Sequence, residues 1–231
     1  MAKVKVVTAY VDLGLTKRPS GEFHAMGDRL YRAVVDGSDA KFRAFMNFPY
    51  EQCWAHVLGP LPPANVRALD RFDTEEEHFR SNLIQHSPMQ WLQMALEEDS
   101  TPDVFVWMGY SIMKQGGFTG KPVTASVVSE FLRKVSTYTH DDIPIPSIRP
   151  DDLISPHGDN WQFVGSTIIA PRLYLREMLH HYKIQLQLFA ARYCAMPLDL
   201  AIWPAVVRKS GLPFRPYAAE YDATQLTGFP G

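Results

Sequence analysis

The sequence predicts one α/β domain spanning residues 1–231, with a mostly parallel central sheet flanked by helices. Short apolar runs typical of buried strands alternate along the chain with segments of helical spacing, and this alternation favours a parallel sheet. The length of 231 residues suits one continuous core, although two smaller domains would also fit. The hydrophobic fraction of 46% and the charged fraction of 21% are those of an ordinary globular protein.

The first quarter of the chain predicts the order strand, helix, strand. Lys5 to Asp12 is a valine-rich, strand-like run that leads into a polar loop. Apolar residues recur at helical spacing from Asp28 to Val35, and we expect Ala40 to Phe48 to continue the helical layer. Gln52 to Leu58 predicts the second strand, which a stretch rich in glycine and proline closes.

The middle of the chain predicts a helix, a central strand and another helix. Ser87 is expected to cap the first of these helices and Pro88 to occupy its first position, while the acidic residues 97–99 end it. Pro102 to Met108 is the most strand-like run in the chain, so we expect it to be central in the sheet. Helical spacing of apolar residues then predicts a helix from Val123 to Tyr138.

The last third of the chain opens on residues 139–160, whose prolines predict an irregular connection or lid. Trp161 to Ala170 predicts a strand, and a long helix that Pro171 opens is expected over 171–193. Asp199 to Lys209 predicts the last helix, interrupted early by Pro204.

Charge, cysteine content and missing motifs argue against several classes of function. The formal net charge of -2 gives no global field that would attract DNA. No export signal and no apolar run of about 18 residues is visible, so we expect a soluble, cytoplasmic protein. Cys53 and Cys194 are expected to be reduced core thiols. The sequence lacks the Walker loop, the dinucleotide fingerprint, the nucleophile elbow and the HExxH zinc motif.

The predicted parallel sheet indicates where a ligand would bind. Open α/β sheets bind ligands in the crevice beyond the carboxyl ends of their strands. We therefore expect a working cleft at the end of the first strand. Three stretches are predicted to meet there: Thr8 to Arg18, Trp107 to Lys114 and Gly165 to Arg172.

Four segments, in order along nearly the whole chain, carry a resemblance to a known family. They are Val7-Thr8-Ala9-Tyr10-Val11-Asp12-Leu13-Gly14, His86-Ser87-Pro88-Met89-Gln90-Trp91-Leu92, Val104 to Ile112, and Pro197 to Trp203 with Tyr217 to Pro230. In these segments the chain resembles small nucleotide-sugar glycosyltransferases of the GT-A type, and among them it is most similar to the bacterial HtrL/YibB-like group. The resemblance implies a Rossmann-like GT-A fold, a UDP- or GDP-sugar held against the first strand, and transfer of the sugar to an acceptor hydroxyl.

The resemblance also bears on the use of a metal. In that family, the strand matching Val104 to Met108 normally ends in carboxylates that hold Mn²⁺ or Mg²⁺ on the donor diphosphate, because the metal offsets charge on the leaving group. Here the positions read Trp107-Met108-Gly109-Tyr110, without a carboxylate. Either the enzyme is metal-independent and uses Lys17, Arg18 or Lys114 instead, or the site has lost activity.

The family pattern implies roles for individual residues. Asp199 matches an acidic residue that can act as general base near the acceptor, and its alternative role is a helix N-cap. Asp12 is expected to bind the ribose or base, or to cap the next turn. Trp107 and Trp161 are expected to stack on a sugar or base, or to belong to the core. The expected donor-binding residues are Thr8, Ala9, Tyr10, Asp12, Lys17, Arg18, Trp107, Gly109, Tyr110 and Lys114. The expected acceptor residues are Asp159, Asn160, Trp161 and Gly165, and no metal ligand is assigned.

Two other functions stay open at this point. The missing carboxylates motivate a catalytically inactive GT-A-like binding protein. Another nucleotide-dependent transferase on a doubly wound sheet is the second alternative. The acceptor is equally open between a glycan, a lipid carrier, a small molecule and a base in phage DNA.

Overall fold

The computed structural model describes residues 1–11, 20–53, 80, 83–110, 112–114, 121–148, 163–193, 199–220 and 222–230. Its strands are β1 (Val4–Tyr10), β2 (Lys41–Met46), β3 (Val104–Met108), β4 (Ile143–Ser147), β5 (Thr167–Pro171) and β6 (Phe214–Ala218). Its α-helices are α1 (Ser20–Val35), α2 (Pro88–Glu98), α3 (Ala125–Thr137), α4 (Arg172–Tyr193), α5 (Asp199–Lys209) and α6 (Thr224–Thr227). Two short 3₁₀ helices span Tyr50–Gln52 and Ile112–Lys114.

A four-stranded sheet forms the centre of the described residues, in the order β2-β1-β3-β5. β1 runs parallel to both neighbours, with Val6 opposite Phe42 of β2 and Val106 of β3. β5 is antiparallel to β3. The predicted α/β fold with a mostly parallel central sheet is therefore confirmed, and the run 102–108 is central as expected.

The two faces of the sheet are covered by different helices. Side chains alternate along each strand, so β1 and β3 contribute to a core on both faces and are buried at every position. On one face, Val6 and Val106 pack in a cluster with Leu30 of α1 and Phe131 of α3. The opposite face packs against α2 and α4, in a cluster with the members Val7, Trp91, Leu92, Phe105, Trp107 and Met178.

The prediction that Ala40 to Phe48 is helical is wrong, because Lys41–Met46 is β2. The run contains good helix formers, but its successive side chains have partners on opposite faces of the sheet, as in a strand. Arg43 forms two hydrogen bonds with Glu98 at the end of α2, each 2.7 Å long. Phe42 points to the other face, where its ring contacts Tyr31 of α1. Tertiary contacts therefore override the local preference.

The irregular connection predicted for 139–160 also needs correction, because Ile143–Ser147 is a strand that pairs in parallel with β6. The two prolines in β4, Pro144 and Pro146, alternate with the residues that face β6. Their missing N–H groups therefore lie on the outer edge, where Pro146 accepts a hydrogen bond from the Val164 N–H. Residues 149–160 lie outside the described residues.

The predicted helix signals are confirmed in part. Pro88 is the first residue of α2, but the Ser87 side chain makes no cap hydrogen bond; its carbonyl accepts one from the Trp91 N–H instead. α5 is not interrupted at Pro204 but continues to Lys209. Ile202, Trp203 and Val206 belong to the core cluster of the α2 face, and this burial outweighs the lost hydrogen bond.

Two predicted strands have different limits. Gln52 ends a 3₁₀ helix rather than starting a strand, and residues 54–58 lie outside the described residues. The strand predicted over 161–170 begins only at Thr167, after a turn at Gly165 and Ser166. It includes Pro171, so the long helix starts one residue later, at Arg172.

The buried position of Cys53 agrees with its interpretation as a core thiol, and burial raises the pKa of this thiol. Cys194 lies outside the described residues. None of the helices in the described ranges is long and apolar enough to cross a bilayer.

Candidate functional site

The carboxyl ends of β1 and β3 meet the start of β5 at one edge of the central sheet. Tyr10 ends β1, and Gly109 follows β3 directly. The Gly109 N–H donates to the carbonyl of Ser166, 2.8 Å away, and the Gly109 carbonyl accepts from Ile112 at 2.8 Å. The described parts of the first two predicted stretches therefore meet here with Gly165 and Ser166. This is the edge at which open α/β sheets bind ligands. The rest of the third stretch does not lie there, because β5 is antiparallel: Pro171 pairs with Val104, and Arg172 lies at the opposite edge of the sheet.

A group of aromatic rings lies at this edge, on the α1 face of the sheet. The rings of Tyr10 and Tyr110 are 5.4 Å apart. The His24 ring of α1 meets Tyr10 edge-on, with centroids 5.0 Å apart. Sequence reasoning missed His24 because it began this helix at Asp28, whereas α1 begins at Ser20.

Gly27 makes room for Tyr110. A Cβ atom on Gly27 would overlap Cζ and the hydroxyl oxygen of the Tyr110 ring. Only a glycine therefore lets α1 approach the end of β3 this closely. A glycine inside a helix normally lowers the stability of that helix. The reason for Gly27, which is the space it leaves for the Tyr110 ring, is seen only in the folded structure.

The Tyr110 hydroxyl is set up as a hydrogen-bond donor. Burial raises the pKa of this phenol, and the nearby Asp28 carboxylate and Tyr10 raise it further. The phenol therefore stays protonated at neutral pH and above. A neutral phenol can donate to an oxygen atom of a ligand.

Thr8 contributes a second polar group to the same face. It is fully buried in β1, and its Oγ1 has no hydrogen-bond partner in the described part of the chain. Alternation along the strand places it on the face of Val6 and Tyr10, beneath α1. An unpaired buried hydroxyl costs about 1–3 kcal/mol, which a water molecule or a ligand atom would offset.

The other two expected strand residues, Ala9 and Trp107, lie on the opposite face. The Trp107 ring stacks on Trp91 of α2, with centroids 5.3 Å apart and planes 20° apart. Trp107 is only 5% exposed and belongs to the core cluster of this face. Its described contacts are those of a core residue, which was the alternative interpretation of this position.

Several of the expected site residues belong to parts of the chain outside the described ranges. Asp12, Lys17, Arg18, and Asp159 to Trp161 lie outside the described residues. Lys114 ends a 3₁₀ helix next to the edge, and Asp199 is the first residue of α5, but only their backbones are described. Gly165 is part of the turn that leads into β5.

The end of β3 does not offer the ligands that a divalent cation prefers. Mg²⁺ and Mn²⁺ bind carboxylate oxygens, and residues 107–110 contain none. Over the described ranges, no three His, Cys, Asp or Glu side chains come close enough to hold a metal ion. These residues do not fit the cation that the resemblance implies, so no chemical step is assigned to a metal.

A cavity of about 820 Å³ lies at the opposite, amino-terminal edge of the sheet. It is bounded by β1, by α3 and by the turn that follows α1. Several of its polar side chains already have partners within the chain. Ser38 donates to the Val34 carbonyl, Ser129 donates to the Ala125 carbonyl, and Arg133 pairs with Glu130. The cavity therefore has the size of a ligand pocket, but the Ser38, Ser129 and Arg133 side chains are engaged within the chain.

No protein-family model matches the chain, and no curated protein is similar to it in sequence. A solved structure with a similar fold is the crystal structure of a glycosyltransferase involved in the glycosylation of the major capsid of PBCV-1. The likeness covers 94% of this chain and 82% of that chain, with a TM-score of 0.50 and 9% sequence identity. At this identity the likeness concerns the fold alone: this chain shares the α/β architecture of that structure.

Proposed function

We propose that the protein is a glycosyltransferase that moves a sugar from a nucleotide-sugar donor to an acceptor hydroxyl. The donor binds at the carboxyl ends of β1 and β3, with Tyr10, Gly109 and Tyr110 at its side. A UDP- or GDP-sugar is the class of donor. Membership of the HtrL/YibB-like group belongs to the same proposal and rests on the four sequence segments.

The observation that carries the proposal is the meeting of Tyr10, Tyr110 and Gly109 at one edge of a glycosyltransferase-like fold. A Cβ atom on Gly109 would lie 3.5 Å from the nearest atom, the Ser166 carbonyl oxygen, so packing alone does not require glycine. A glycine that packing does not require suits a position where a diphosphate approaches the backbone. Thr8 and the Tyr110 hydroxyl supply polar groups nearby.

The donor diphosphate is held without a divalent cation in this proposal. Residues 107–110 supply no carboxylate, and cationic side chains can offset the charge of a leaving diphosphate in place of a metal. The candidates are Lys17 and Arg18, which follow β1 in the sequence, and Lys114. Of these, Lys114 ends the 3₁₀ helix that directly follows Tyr110 and Ser111.

The transfer step uses Asp199 as general base. The carboxylate takes the proton of the acceptor hydroxyl, whose oxygen forms a bond to the anomeric carbon of the sugar. The bond between that carbon and the diphosphate oxygen breaks, and the nucleoside diphosphate leaves. Asp159, Asn160, Trp161 and Gly165 form the acceptor side.

Thermal shift measurements with UDP, GDP and their sugars test the proposal, each with Mn²⁺ and with EDTA. A donor at a hundredfold excess over its Kd stabilises the fold by about 2.7 kcal/mol, which raises Tm by several degrees. We expect this rise in EDTA too. His24→Ala should reduce it, because His24 contacts Tyr10, whereas His180→Ala on the exposed side of α4 should not.

The catalytically inactive binding protein is the second candidate, favoured by the missing carboxylates. It predicts stabilisation by a nucleotide without release of sugar or transfer to any acceptor. If no nucleotide or nucleotide-sugar raises Tm, the glycosyltransferase proposal is wrong.

A further inference from the structure

Asp222 lies in the turn that precedes α6, and hydrogen bonds link this turn to the edge of the candidate site. The connection is made by Gln225, whose side chain is fully buried. Gln225 Nε2 donates to the Asp222 carbonyl, 3.0 Å away, and Gln225 Oε1 accepts from the Thr167 hydroxyl at 2.9 Å. Thr167 begins β5, and the Ser166 carbonyl just before it accepts from the Gly109 N–H. Asp222 therefore lies at the carboxyl edge of the sheet.

The same turn lies on the α1 face of the sheet. Ala223 and Leu226, which follow Asp222, belong to the hydrophobic cluster that contains Leu30 of α1 and Phe131 of α3. The Ala223 N–H also donates to the carbonyl of residue 121, just before α3, at a distance of 3.0 Å. Asp222 therefore shares both the edge and the face of the aromatic rings in the candidate site.

Asp222 is a buried carboxylate with one oxygen atom left unpaired. The residue is 4% exposed. Its Oδ1 accepts hydrogen bonds from the Thr224 N–H, 2.7 Å away, and from the Thr224 hydroxyl. In the part of the chain that the structure describes, no group donates to Oδ2 and no cation pairs with the carboxylate. Oδ2 is not fully enclosed, so a ligand atom can reach it. Aspartate is almost never buried without a partner, because removing water from the charge is costly.

The chain contains the same turn a second time, at Asp99. Oδ1 of Asp99 accepts from the N–H and the hydroxyl of Thr101, at 3.0 and 2.7 Å. The Oδ2 atom of Asp99 accepts from Lys41 Nζ at 2.7 Å. The turn itself therefore uses only one carboxylate oxygen, which an asparagine could supply equally well. At Asp222 the second oxygen has no described lysine or other donor, so the turn does not explain the carboxylate.

We infer that Oδ2 of Asp222 accepts hydrogen bonds from hydroxyl groups of the donor sugar. A carboxylate oxygen has two lone pairs, so it can accept from two neighbouring hydroxyls. A phosphate group does not suit this position, because it would bring a second negative charge next to the carboxylate. The inference rests on the proposed function, which places the donor diphosphate near Gly109, and it makes Asp222 a residue that selects the sugar.

The stability of the free protein gives the first test. Asp222→Asn keeps an oxygen for Thr224 and removes the unpaired carboxylate, so the urea midpoint should stay the same or rise, as expected for a residue kept for a ligand. Asp99→Asn is the matched control, and it should lower the midpoint because it breaks the ion pair with Lys41. An equal loss of stability in both variants would give Asp222 a structural role and overturn the inference.

Calorimetric titration of the full chain gives the second test, with UDP and GDP compared with UDP-glucose, UDP-N-acetylglucosamine and GDP-mannose. Asp222→Asn should bind the free nucleotides as the wild type does. It should bind the nucleotide-sugar that the wild type prefers about tenfold to a hundredfold more weakly, the loss that follows from removing a hydrogen bond to a charged group. Asp99→Asn should bind both kinds of ligand as the wild type does.

The outcomes separate this inference from the proposed function. A wild type that binds neither nucleotides nor nucleotide-sugars would contradict both. If the wild type binds a nucleotide-sugar and Asp222→Asn binds it equally well, only the role of Asp222 is wrong. An equal loss of affinity for the free nucleotide and for its sugar would place the contact on the nucleotide and overturn the inference. Asp222→Ser, which also supplies an oxygen to Thr224, replaces Asp222→Asn if that variant fails to fold.

Discussion

The phenol ring of Tyr110 occupies the space in which a side chain on Gly27 would lie. Gly27 belongs to α1 and Tyr110 follows β3, so this contact sets how closely the helix approaches the end of the strand. Tyr10, at the end of β1, contacts the same Tyr110 ring. The candidate site is therefore positioned by a pair of residues that are far apart in the sequence.

Gly27→Ala should destabilise the fold, because its methyl group overlaps the Tyr110 ring. Overpacking of this kind costs about 1–3 kcal/mol. Urea denaturation measures the loss. The same substitution at Gly21, in the first turn of α1, has no neighbouring atom within 4 Å and should be neutral or slightly stabilising.

A double-mutant cycle shows whether the Tyr110 ring is the cause. In a Tyr110→Ala background, Gly27→Ala should cost much less than in the wild type. An equal cost in both backgrounds would mean that the ring does not occupy the space above Gly27.

Trp107→Leu should lower the free energy of unfolding by about 2–4 kcal/mol, because the ring is buried and stacks on Trp91. The affinity of the remaining folded protein for a nucleotide-sugar should not change. Urea denaturation and calorimetric titration separate the two effects. Unchanged stability with lost affinity would instead make Trp107 a stacking surface for the ligand.

Acid should weaken the contact between α2 and β2. Hydrogen bonds from Arg43 hold the pKa of Glu98 below its usual range, and hydrogen bonds from Lys41 and Thr101 do the same for Asp99. A carboxylate with a depressed pKa stabilises the fold above its unfolded pKa of about 4, and this contribution is lost as pH falls through the native value.

The measurement is the urea midpoint of the wild type and of a Glu98→Gln, Asp99→Asn double variant as pH falls from 6 to about 2. The wild type should begin to lose its advantage over the variant below about pH 4 and lose more of it as pH falls further. Glu51→Gln, at an exposed site, is the control for a lost carboxylate. A constant difference between wild type and double variant over this range would contradict the assigned ion pairs.

Asp199→Asn should reduce sugar transfer by about 10²–10⁴-fold if Asp199 is the general base. Thermal stabilisation by the donor should persist, because the base acts on the acceptor. Asp36→Asn, after the end of α1, is the control. Lower stability with unchanged activity per folded molecule would identify Asp199 as a helix cap instead.

The buried strands and the presence of the longer helices were the most predictable features of the fold, whereas the start of α1 was predicted at Asp28 instead of Ser20. Helices cover both faces of the valine-rich strands β1 and β3, which are buried at every position. A strand that is buried on both faces has a continuous apolar sequence, so these two strands could be recognised from the sequence. β2 was mistaken for a helix because its residues pair with Glu98 and Asp99, more than fifty positions later in the sequence. β4 was missed because prolines usually interrupt a strand. Here Pro144 and Pro146 lack N–H groups only on the edge that faces away from β6, so β4 can still pair with β6.

The candidate site was predictable where it coincides with strand ends. Tyr10, Gly109 and Tyr110 follow from the rule that ligands bind beyond the carboxyl ends of parallel strands. His24 and Gly27 do not, because nothing in the local sequence of α1 shows that this helix passes over Tyr10 and Tyr110. Such contacts between distant segments emerge only from the packed structure.

A crystal structure of the protein soaked with UDP and GDP at saturating concentration would locate the donor site. We expect a nucleoside diphosphate at the carboxyl ends of β1 and β3, in contact with Tyr10 or Tyr110 and with its diphosphate near the Gly109 backbone. A nucleotide bound only in the cavity at the amino-terminal edge, beside Ser129 and Arg133, or no bound nucleotide at all, would contradict it.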